Sequence, residues 1–304
     1  MKLSVIVASR NRSASLRVLL ENLENQDSAA DLTYEVIVVD NGSQDETRET
    51  GKSFVSHSPD KFRYVFAKIP GKSRALNSGI RVAKGDVLVF TDDDCIPEVG
   101  WLRAIACEFT SDPSLCVLGG RVELYCVEDR PVTIRTGRER IPFSSVGQLF
   151  SLVVGCNMAV RRRALDVVGG FDPALGPGTR MAAAEDVELI YRIFKAGFKI
   201  VYSPDVVVYH NHGRKTDEQV KVLKRDYVVG RGAFYCKHIL RGDLQILKMA
   251  YWEISSLLSE LFRARFSGQA AGDQPSLLWN LLVGTGYIPS ALRHQVARHF
   301  EARL

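Results

Sequence analysis

Three consecutive carboxylates, Asp92, Asp93 and Asp94, follow an apolar run at positions 87–90. Such a run is typical of a buried strand, so the carboxylates are expected where the strand reaches the surface. Adjacent carboxylates repel one another, and oxygen ligands alone suit a hard divalent ion that keeps open positions for phosphate oxygens. The cluster therefore predicts metal-assisted handling of a diphosphate. The alternative is a solvated acidic turn, which three carboxylates after a fully apolar strand disfavour.

Two common phosphate-binding motifs do not fit the sequence. The first apolar run, at positions 3–8, is followed by Ser9-Arg10-Asn11-Arg12 and not by G-x-G-x-x-G, which argues against a dinucleotide-binding Rossmann site. Gly71-Lys72-Ser73 matches the end of a P-loop, but Phe66 occupies the position of the required earlier glycine. A standard P-loop is therefore excluded.

The elements that would position these residues are short apolar runs alternating with helical periods, which is typical of βα units around a mostly parallel sheet. In open α/β sheets, ligands bind at the carboxyl ends of the strands. Asn11, Asp40 and the three aspartates all follow strand ends, so we expect them along one edge of the sheet. Strands are predicted at 3–8, 35–39, 62–67, 87–90 and 116–125, with a strand pair at 200–202 and 206–209 around Ser203-Pro204-Asp205.

The composition fits a soluble globular protein with one large domain and an extension. The 304 residues are 46% hydrophobic and 25% charged, which allows a sizeable core. No signal-type segment precedes the first strand, so we expect a cytoplasmic protein. Six cysteines are scattered without a Cys-x-x-Cys pair, and we expect them to be reduced packing residues.

The net charge of +5 is unevenly distributed along the chain. Residues 214–304 contain 14 basic and 8 acidic side chains, so the basic surplus belongs to the C-terminal region. This region shows no nucleic-acid motif, and we expect no nucleic-acid partner. Peripheral contact with the inner face of a membrane, contact with a second copy and a solvated helical face remain open. The apolar segment 277–292 is too interrupted to span a membrane, which requires about 18 apolar residues.

Six motifs, in this order, make residues 3–213 resemble the family 2 glycosyltransferases of GT-A fold. The resemblance implies an α/β fold with a mostly parallel sheet flanked by helices, a Rossmann-like nucleotide-binding half and a helical C-terminal extension. It divides the chain into a catalytic domain at 1–213 and a helical basic region at 214–304 on the acceptor side. The motifs are SVIVASRNR, VIVVDNGSQDET, GKSRALNSGIRVAKGDVLVFTDDDCIP, GCNMAVRR, GGFDPALG and AEDVELIYRIFKAGFKIVYSPDVVVYH.

The resemblance assigns a set of residues to the nucleotide-sugar donor. Asp40 is implied to recognise the base, most often uracil, with a simple turn role as the alternative. Lys72 and Arg74 help to hold the base or the diphosphate, and Asp92 faces the ribose or the metal. The remaining members of the donor group are Ser9, Asn11 and Asp93, of which Asp93 has no assigned role.

The same resemblance assigns the metal and the catalytic base. Asp94 is implied to be the direct ligand of Mn²⁺ or Mg²⁺, with Asp92 and His210 beside it, and His212 is a weaker candidate. Asp186 is implied to be the general base that takes the proton from the acceptor hydroxyl. Glu185 has a simpler explanation, because acidic residues favour the first turn of a helix.

The implied reaction is inverting transfer of a sugar from a nucleoside diphosphate donor, expected to be a UDP-sugar, to an acceptor hydroxyl. We expect the acceptor to be a glycan, a glycolipid or another hydroxyl compound in polysaccharide or cell-surface glycan synthesis. A nucleotidyltransferase of similar fold would carry a glycine-rich, basic signature after the first strand, which is absent. A non-catalytic nucleotide- or membrane-binding descendant would tend to lose the three aspartates or Asp186, and both are present.

Overall fold

The computed structural model describes residues 1–27, 32–267 and 280–287. Its contacts divide the chain into two units. The first unit consists of Met1–Phe171 and Asp186–Thr216, and the second of Asp172–Glu185 and Asp217–Leu304. Residues 172–185, which precede the implied catalytic base in sequence, thus belong with the C-terminal region and not with their sequence neighbours.

Among the described residues, the first unit forms one nine-stranded sheet in the order β3-β2-β1-β4-β8-β6-β9-β5, with β7 paired to β9. The β3-β2-β1-β4 half is parallel, whereas β8 runs antiparallel to both of its neighbours. The predicted α/β fold class is confirmed, and the sheet is mixed. Its strands are β1 (Lys2–Ser9), β2 (Thr33–Asp40), β3 (Phe62–Phe66), β4 (Val87–Asp92), β5 (Cys95–Pro97), β6 (Leu115–Leu124), β7 (Ile141–Pro142), β8 (Met158–Arg161) and β9 (Lys199–His210).

Helices cover the sheet, so its central strands are apolar on both faces, as parallel strands of this class require. The apolar side chains of β1, β2 and β4 are almost completely buried. Leu16, Leu19, Leu20 and Leu23 recur at helical spacing in α1 and are all fully buried. The helices of this unit are α1 (Ser13–Glu24), α2 (Thr47–His57), α3 (Lys72–Val82), α4 (Trp101–Ser111), α5 (Arg162–Val168) and α6 (Glu185–Lys195).

The strand pair predicted around Ser203-Pro204-Asp205 is wrong, because β9 is one continuous strand. Gly120 of β6 pairs with Ser203, and the next residue, Arg121, pairs with Val207. The intervening residues therefore form a bulge. Asn157 stabilises it by donating from Nδ2 to the carbonyls of Val206 (2.9 Å) and Arg121 (2.8 Å). A local turn sequence is thus absorbed by long-range pairing.

The strand register brings the predicted site residues to one edge of the sheet. Ser9 at the end of β1 is opposite Asp40 at the end of β2. On the other side of β1, Ala8 is opposite Asp92 at the end of β4. At the far side, Cys95 of β5 is opposite His210 of β9. The expectation that these strand ends share one edge is confirmed.

The second unit is helical over its described residues. It contains α7 (Asp217–Ile239) and α8 (Leu244–Ser267), followed by a short 3-10 turn at Gly284–Gly286. Glycine allows close packing here, because a Cβ on Gly284 would lie 2.5 Å from backbone atoms of α7. Of the apolar segment 277–292, residues 280–287 are described. No helix in the described part of the chain has the length and apolar character needed to cross a membrane.

Candidate active site

Asp40 ends β2 as a fully buried carboxylate whose two oxygens both accept hydrogen bonds. The backbone N–H of Ser43 donates to Oδ1 (2.8 Å), which is a turn contact, and the hydroxyl of Tyr64 donates to Oδ2 (2.6 Å). Burial and the bond to Asp40 raise the pKa of Tyr64 to about 12. Tyr64 is therefore a protonated donor at neutral pH, and it fixes the orientation of the Asp40 carboxylate.

Asn11 and Asn41 hold the loops around this carboxylate. Asn11 has a left-handed backbone with φ of 53°, a conformation that asparagine tolerates. Its backbone N–H donates to the hydroxyl of Ser43 (3.1 Å), and its side-chain oxygen accepts from the N–H of Gln44 (2.7 Å). The side chain of Asn41 accepts from the N–H of Gly71 (2.8 Å), which precedes α3. The structure thus places Asn11 where it orders the loop that follows β2.

Lys72 and Arg74 lie in the first turn of α3. The ammonium of Lys72 is 2.6 Å from Oδ1 of Asp92, and one guanidinium nitrogen of Arg74 donates to the carbonyl of Pro70 (3.0 Å). A helix N-terminus carries unpaired N–H groups and a positive dipole end, which favour phosphate. The structure therefore brings Lys72 and Asp92 into direct contact at an anion-favouring position.

Arg12 connects the other two aspartates of the cluster. It lies 3.2 Å from Oδ1 of Asp93 and 2.5 Å from Oδ2 of Asp94. Ser9, predicted in the donor group, donates its hydroxyl to Oδ2 of Asp93 (2.7 Å). Burial raises the pKa of Asp93 to about 6, although Arg12 opposes the shift. Ser9 and Arg12 thus serve the carboxylate cluster directly.

His210 is buried beside Asp94, with Nε2 lying 3.2 Å from Oδ1. Nδ1 lies 3.4 Å from the carbonyl of Thr133, a contact that suits an N–H on Nδ1. Burial lowers the pKa of His210, but Asp94 outweighs it and raises that pKa to about 9. Burial also opposes ionisation of Asp94, whose pKa nevertheless stays well below its usual range because of His210 and Arg12. The pair is therefore ionic.

His212 belongs to a different cluster. Its Nδ1 accepts from the backbone N–H of Arg214 (3.0 Å) and lies 3.4 Å from Asp129. Burial lowers the pKa of His212, and the nearby charge of His210 adds to this effect. His212 is therefore a neutral side chain held by its own loop.

The cluster fits a divalent cation. Asp94 is more than nine-tenths buried, and no hydrogen bond reaches its Oδ1 among the described residues. Arg12, Lys72 and His210 supply positive charge at the three aspartates, as an ion would. Asp92 and Asp94 offer oxygen ligands and His210 offers a nitrogen, a set that suits Mn²⁺ and Mg²⁺.

Asp186 lies in the first turn of α6 and is half-buried. The backbone N–H of Gly155 donates to Oδ2 (2.9 Å), and that of Val187 donates to Oδ1 (2.8 Å). Loss of solvation raises the pKa of Asp186, the charge of Lys72 opposes the rise, and Asp92 adds to it. A carboxylate with a raised pKa is a stronger base than a solvated one.

The sequence did not assign roles to Arg12, Tyr64 and Gly155. A Cβ on Gly155 would lie 2.7 Å from Oδ2 of Asp186, so the hydrogen bond to Asp186 requires glycine there. Arg12 and Gly155 stand within the quoted motifs, but no local pattern indicates their distant partners. Glu185 is buried in the second unit against Gly176, the contact distance a Cβ would have being 3.0 Å.

Comparisons with known proteins agree with this arrangement. The pre-mycofactocin glycosyltransferase of Mycobacterium tuberculosis is 28% identical over 243 residues, covering 76% of this chain and 45% of the relative. Glycosyltransferase AglE of Haloferax volcanii is 27% identical over 262 residues, covering 84% and 81%. The chain spans about half the length of some curated relatives, including 50% of the probable glycosyltransferase YdaM of Bacillus subtilis.

Solved structures show the same fold. The mannosyltransferase PcManGT of Pyrobaculum calidifontis, in complex with GDP-Man and Mn²⁺, aligns with a TM-score of 0.62 and 22% identity, over 96% of this chain and 86% of that one. Residues 1–349 of S. aureus TarS align with a TM-score of 0.61 and 20% identity, over 94% and 81%. The model of "Glycosyl transferase family 2" matches residues 4–169, more than half of the chain. The protein therefore belongs to glycosyl transferase family 2.

Proposed function

We propose that this protein is an inverting, divalent-metal-dependent glycosyltransferase that moves a sugar from a nucleoside diphosphate to an acceptor hydroxyl. One arrangement carries the proposal. Lys72 contacts Asp92 in the carboxylate cluster, and the charges of both act on Asp186, so a candidate base lies beside a candidate diphosphate site. Family membership supports the same reaction class.

The donor is proposed to be a UDP-sugar, with Asp40 as the base-recognition residue. A carboxylate oxygen accepts more than one hydrogen bond, so Asp40 retains acceptor capacity beside its bonds from Ser43 and Tyr64. The imide N–H of uracil is a suitable donor. Guanine also presents N–H donors, and PcManGT was solved with GDP-Man, so GDP is the second nucleotide to test.

In the proposed mechanism, Asp186 orients the acceptor hydroxyl and accepts its proton as the oxygen attacks the anomeric carbon. The N–H groups of Gly155 and Val187 hold the carboxylate in place. Lys72 at the N-terminus of α3 stabilises negative charge on the departing diphosphate. A bound Mn²⁺ or Mg²⁺, held by Asp92, Asp94 and His210, would supply further neutralisation of that charge. One displacement by one base inverts the anomeric configuration.

Calorimetric titration of UDP, GDP and dTDP, with and without Mn²⁺, tests the donor site. We expect metal-dependent binding of one nucleotide, lost in Asp94→Ala and retained in Asp60→Ala, since Asp60 is exposed in a loop. Asp186→Asn should bind the same nucleotide and lower kcat by about 10²- to 10⁴-fold. If the folded protein binds no nucleotide with Mn²⁺ present, the proposal fails.

We also propose that α8 contacts an anionic membrane surface, which would bring the enzyme to a lipid-linked or cell-surface acceptor. Five apolar side chains at helical spacing, each between 46% and 75% exposed, form a stripe along α8: Leu244, Leu247, Tyr251, Leu258 and Phe262. Exposed basic residues at positions 241, 248 and 263 accompany the stripe. An apolar helix face with basic neighbours is typical of interfacial helices.

Flotation of the full chain with liposomes tests this contact. Anionic vesicles should carry the protein, neutral vesicles should carry less, and Leu244→Asp with Tyr251→Asp should abolish flotation. Val127→Asp is the matched control, because Val127 is 95% exposed in the first unit. Exposed Trp252 should also show a blue-shifted emission on binding. Absence of flotation, with concentration-dependent sedimentation of the wild type that the double substitution removes, would instead assign the stripe to a homo-oligomer.

A further inference from the structure

Asp94 and His210 have a third potential ligand beside them that hard-metal chemistry does not use. Cys95 directly follows Asp94 and is the cross-strand partner of His210 on β5 and β9. Cross-strand partners project from the same face of a sheet. One ligand atom from each of these three residues lies within 4.8 Å of the others. Oxygen, nitrogen and sulfur donors therefore converge on one point.

An independent observation indicates that this point favours a cation. Asp94 is only 8% exposed, and its Oδ1 has no hydrogen bond among the described residues. The nearest charged group, Nε2 of His210, lies at 3.2 Å without forming one. A buried carboxylate oxygen left in this state is unfavourable by about 1–3 kcal/mol. A metal ion would satisfy it.

The second coordination sphere also suits a metal. Nδ1 of His210 lies 3.4 Å from the carbonyl of Thr133, which orients the ring and leaves Nε2 toward Asp94. Metal-bound histidines commonly donate their other N–H to a carbonyl in this way. Cys95 is 1% exposed, and a second buried thiol, Cys156, lies beside it. Hydrogen bonding to Cys156 and burial raise the pKa of Cys95, so the thiol is protonated in the metal-free protein.

We propose that Asp94, Cys95 and His210 form a thiolate-containing site for a zinc-like divalent ion. Cys95 releases its proton to solvent as the metal–sulfur bond forms, and His210 binds through neutral Nε2. Thiolate and imidazole ligands favour Zn²⁺ and Co²⁺ over Mn²⁺ and Mg²⁺. The proposal deepens the proposed function, since it rests on the same Asp94 and His210. Zn²⁺ should therefore displace Mn²⁺ from this site.

Cobalt is the probe, because Co²⁺ replaces Zn²⁺ in such sites and a cobalt–thiolate bond gives a charge-transfer absorption in the near ultraviolet. Titration of the full-length protein with Co²⁺ should produce this absorption, and added Zn²⁺ should remove it. Cys107→Ser is the matched control, because Cys107 is an exposed thiol on α4 and its loss should change nothing. Cys95→Ser and Cys95→Ala should both lose the absorption.

Asp94→Asn provides a test that leaves every thiol in place. We expect it to keep the fold by circular dichroism and to weaken Co²⁺ binding by at least about tenfold. Charge-transfer absorption that persists in a folded Cys95 variant, or its absence from the wild type, overturns the proposal.

Paramagnetic resonance of Mn²⁺ with UDP separates this failure from failure of the proposed function. A protein that binds Mn²⁺ and UDP but gives no cobalt–thiolate absorption retains the transferase proposal and loses the thiolate site. A folded protein that binds neither Mn²⁺ nor any nucleotide loses the transferase proposal, whereas a cobalt–thiolate absorption in that same protein would still support the site.

Discussion

The hydroxyl of Tyr64 donates a hydrogen bond of 2.6 Å to Oδ2 of Asp40. The two residues come from neighbouring strands, since Tyr64 is opposite Val38 on β2, two positions before Asp40. The other oxygen of Asp40 accepts from the backbone of Ser43. The carboxylate is therefore held from two sides, which is the preorganisation that recognition of one base edge requires.

Tyr64→Phe should weaken UDP binding by about tenfold, because a buried carboxylate oxygen loses its donor and the carboxylate loses its fixed orientation. Calorimetry with saturating Mn²⁺ measures the change. Tyr34→Phe is the matched control, since its hydroxyl bonds the carbonyl of Leu23 in α1 (2.7 Å). Equal affinities for UDP in wild type and Tyr64→Phe would show that Asp40 does not depend on this bond.

Gly155→Ala should lower kcat by about 10²-fold while leaving nucleotide binding unchanged. The added Cβ would lie 2.7 Å from Oδ2 of Asp186, so the carboxylate must shift from its position. Displacement of a catalytic group by about 1 Å has an effect of this size. Steady-state kinetics with saturating donor measures it.

Gly147→Ala is the control for that substitution, because the nearest atom to its added Cβ is the Ser145 hydroxyl at 3.6 Å. It should retain wild-type kcat. A Gly155→Ala protein with normal kcat would exclude the assignment of Asp186 as the base.

Much of the site edge was predictable because its signals are local. An apolar run followed by polar residues marks the end of a buried strand, and this pattern correctly brought Asp40 and Asp92 to one edge. Parallel pairing then follows from the fold class. Such residues are identified by their immediate neighbours in sequence, which is the information a single sequence contains.

The remaining features depend on residues that are distant in sequence. Arg12 meets Asp94 across 82 positions, and Gly155 meets Asp186 across 31. The error at residues 203–205 has the same origin, since Ser-Pro-Asp is a local turn signal that pairing with β6 overrides. Composition and periodicity carry no record of such partners.

Arg12→Gln should tighten Mn²⁺ binding several-fold, because it removes a positive charge in contact with Asp93 and Asp94. Calorimetric titration of Mn²⁺ without nucleotide measures the change. Arg103→Gln is the control, as Arg103 pairs with exposed Asp27. Unchanged or weaker Mn²⁺ binding in Arg12→Gln would show that the ion lies away from the aspartates that Arg12 contacts.

The stability of the metal-free protein should fall as the pH rises from about 6.5 to about 9. The pKa of His210 is raised to about 9 in the folded state, against 6.5 for an unperturbed histidine. Between these values the folded state binds more protons than the unfolded state, so the contribution of His210 is complete below pH 6.5 and is lost through pH 9. The loss is at most about 3 kcal/mol for a shift of this size.

Urea unfolding in the presence of EDTA, at pH 6.5 and pH 9, measures this loss. The groups that face His210 are Asp94 and the carbonyl of Thr133. Asp94 is ionised throughout this window because its pKa is lowered, so His210 alone titrates within the pair. His210→Gln should therefore show a smaller fall than wild type, whereas His57→Gln, at an exposed surface position, should match wild type. A pH dependence identical in all three proteins would mean that the His210–Asp94 pair is not ionic in the folded state.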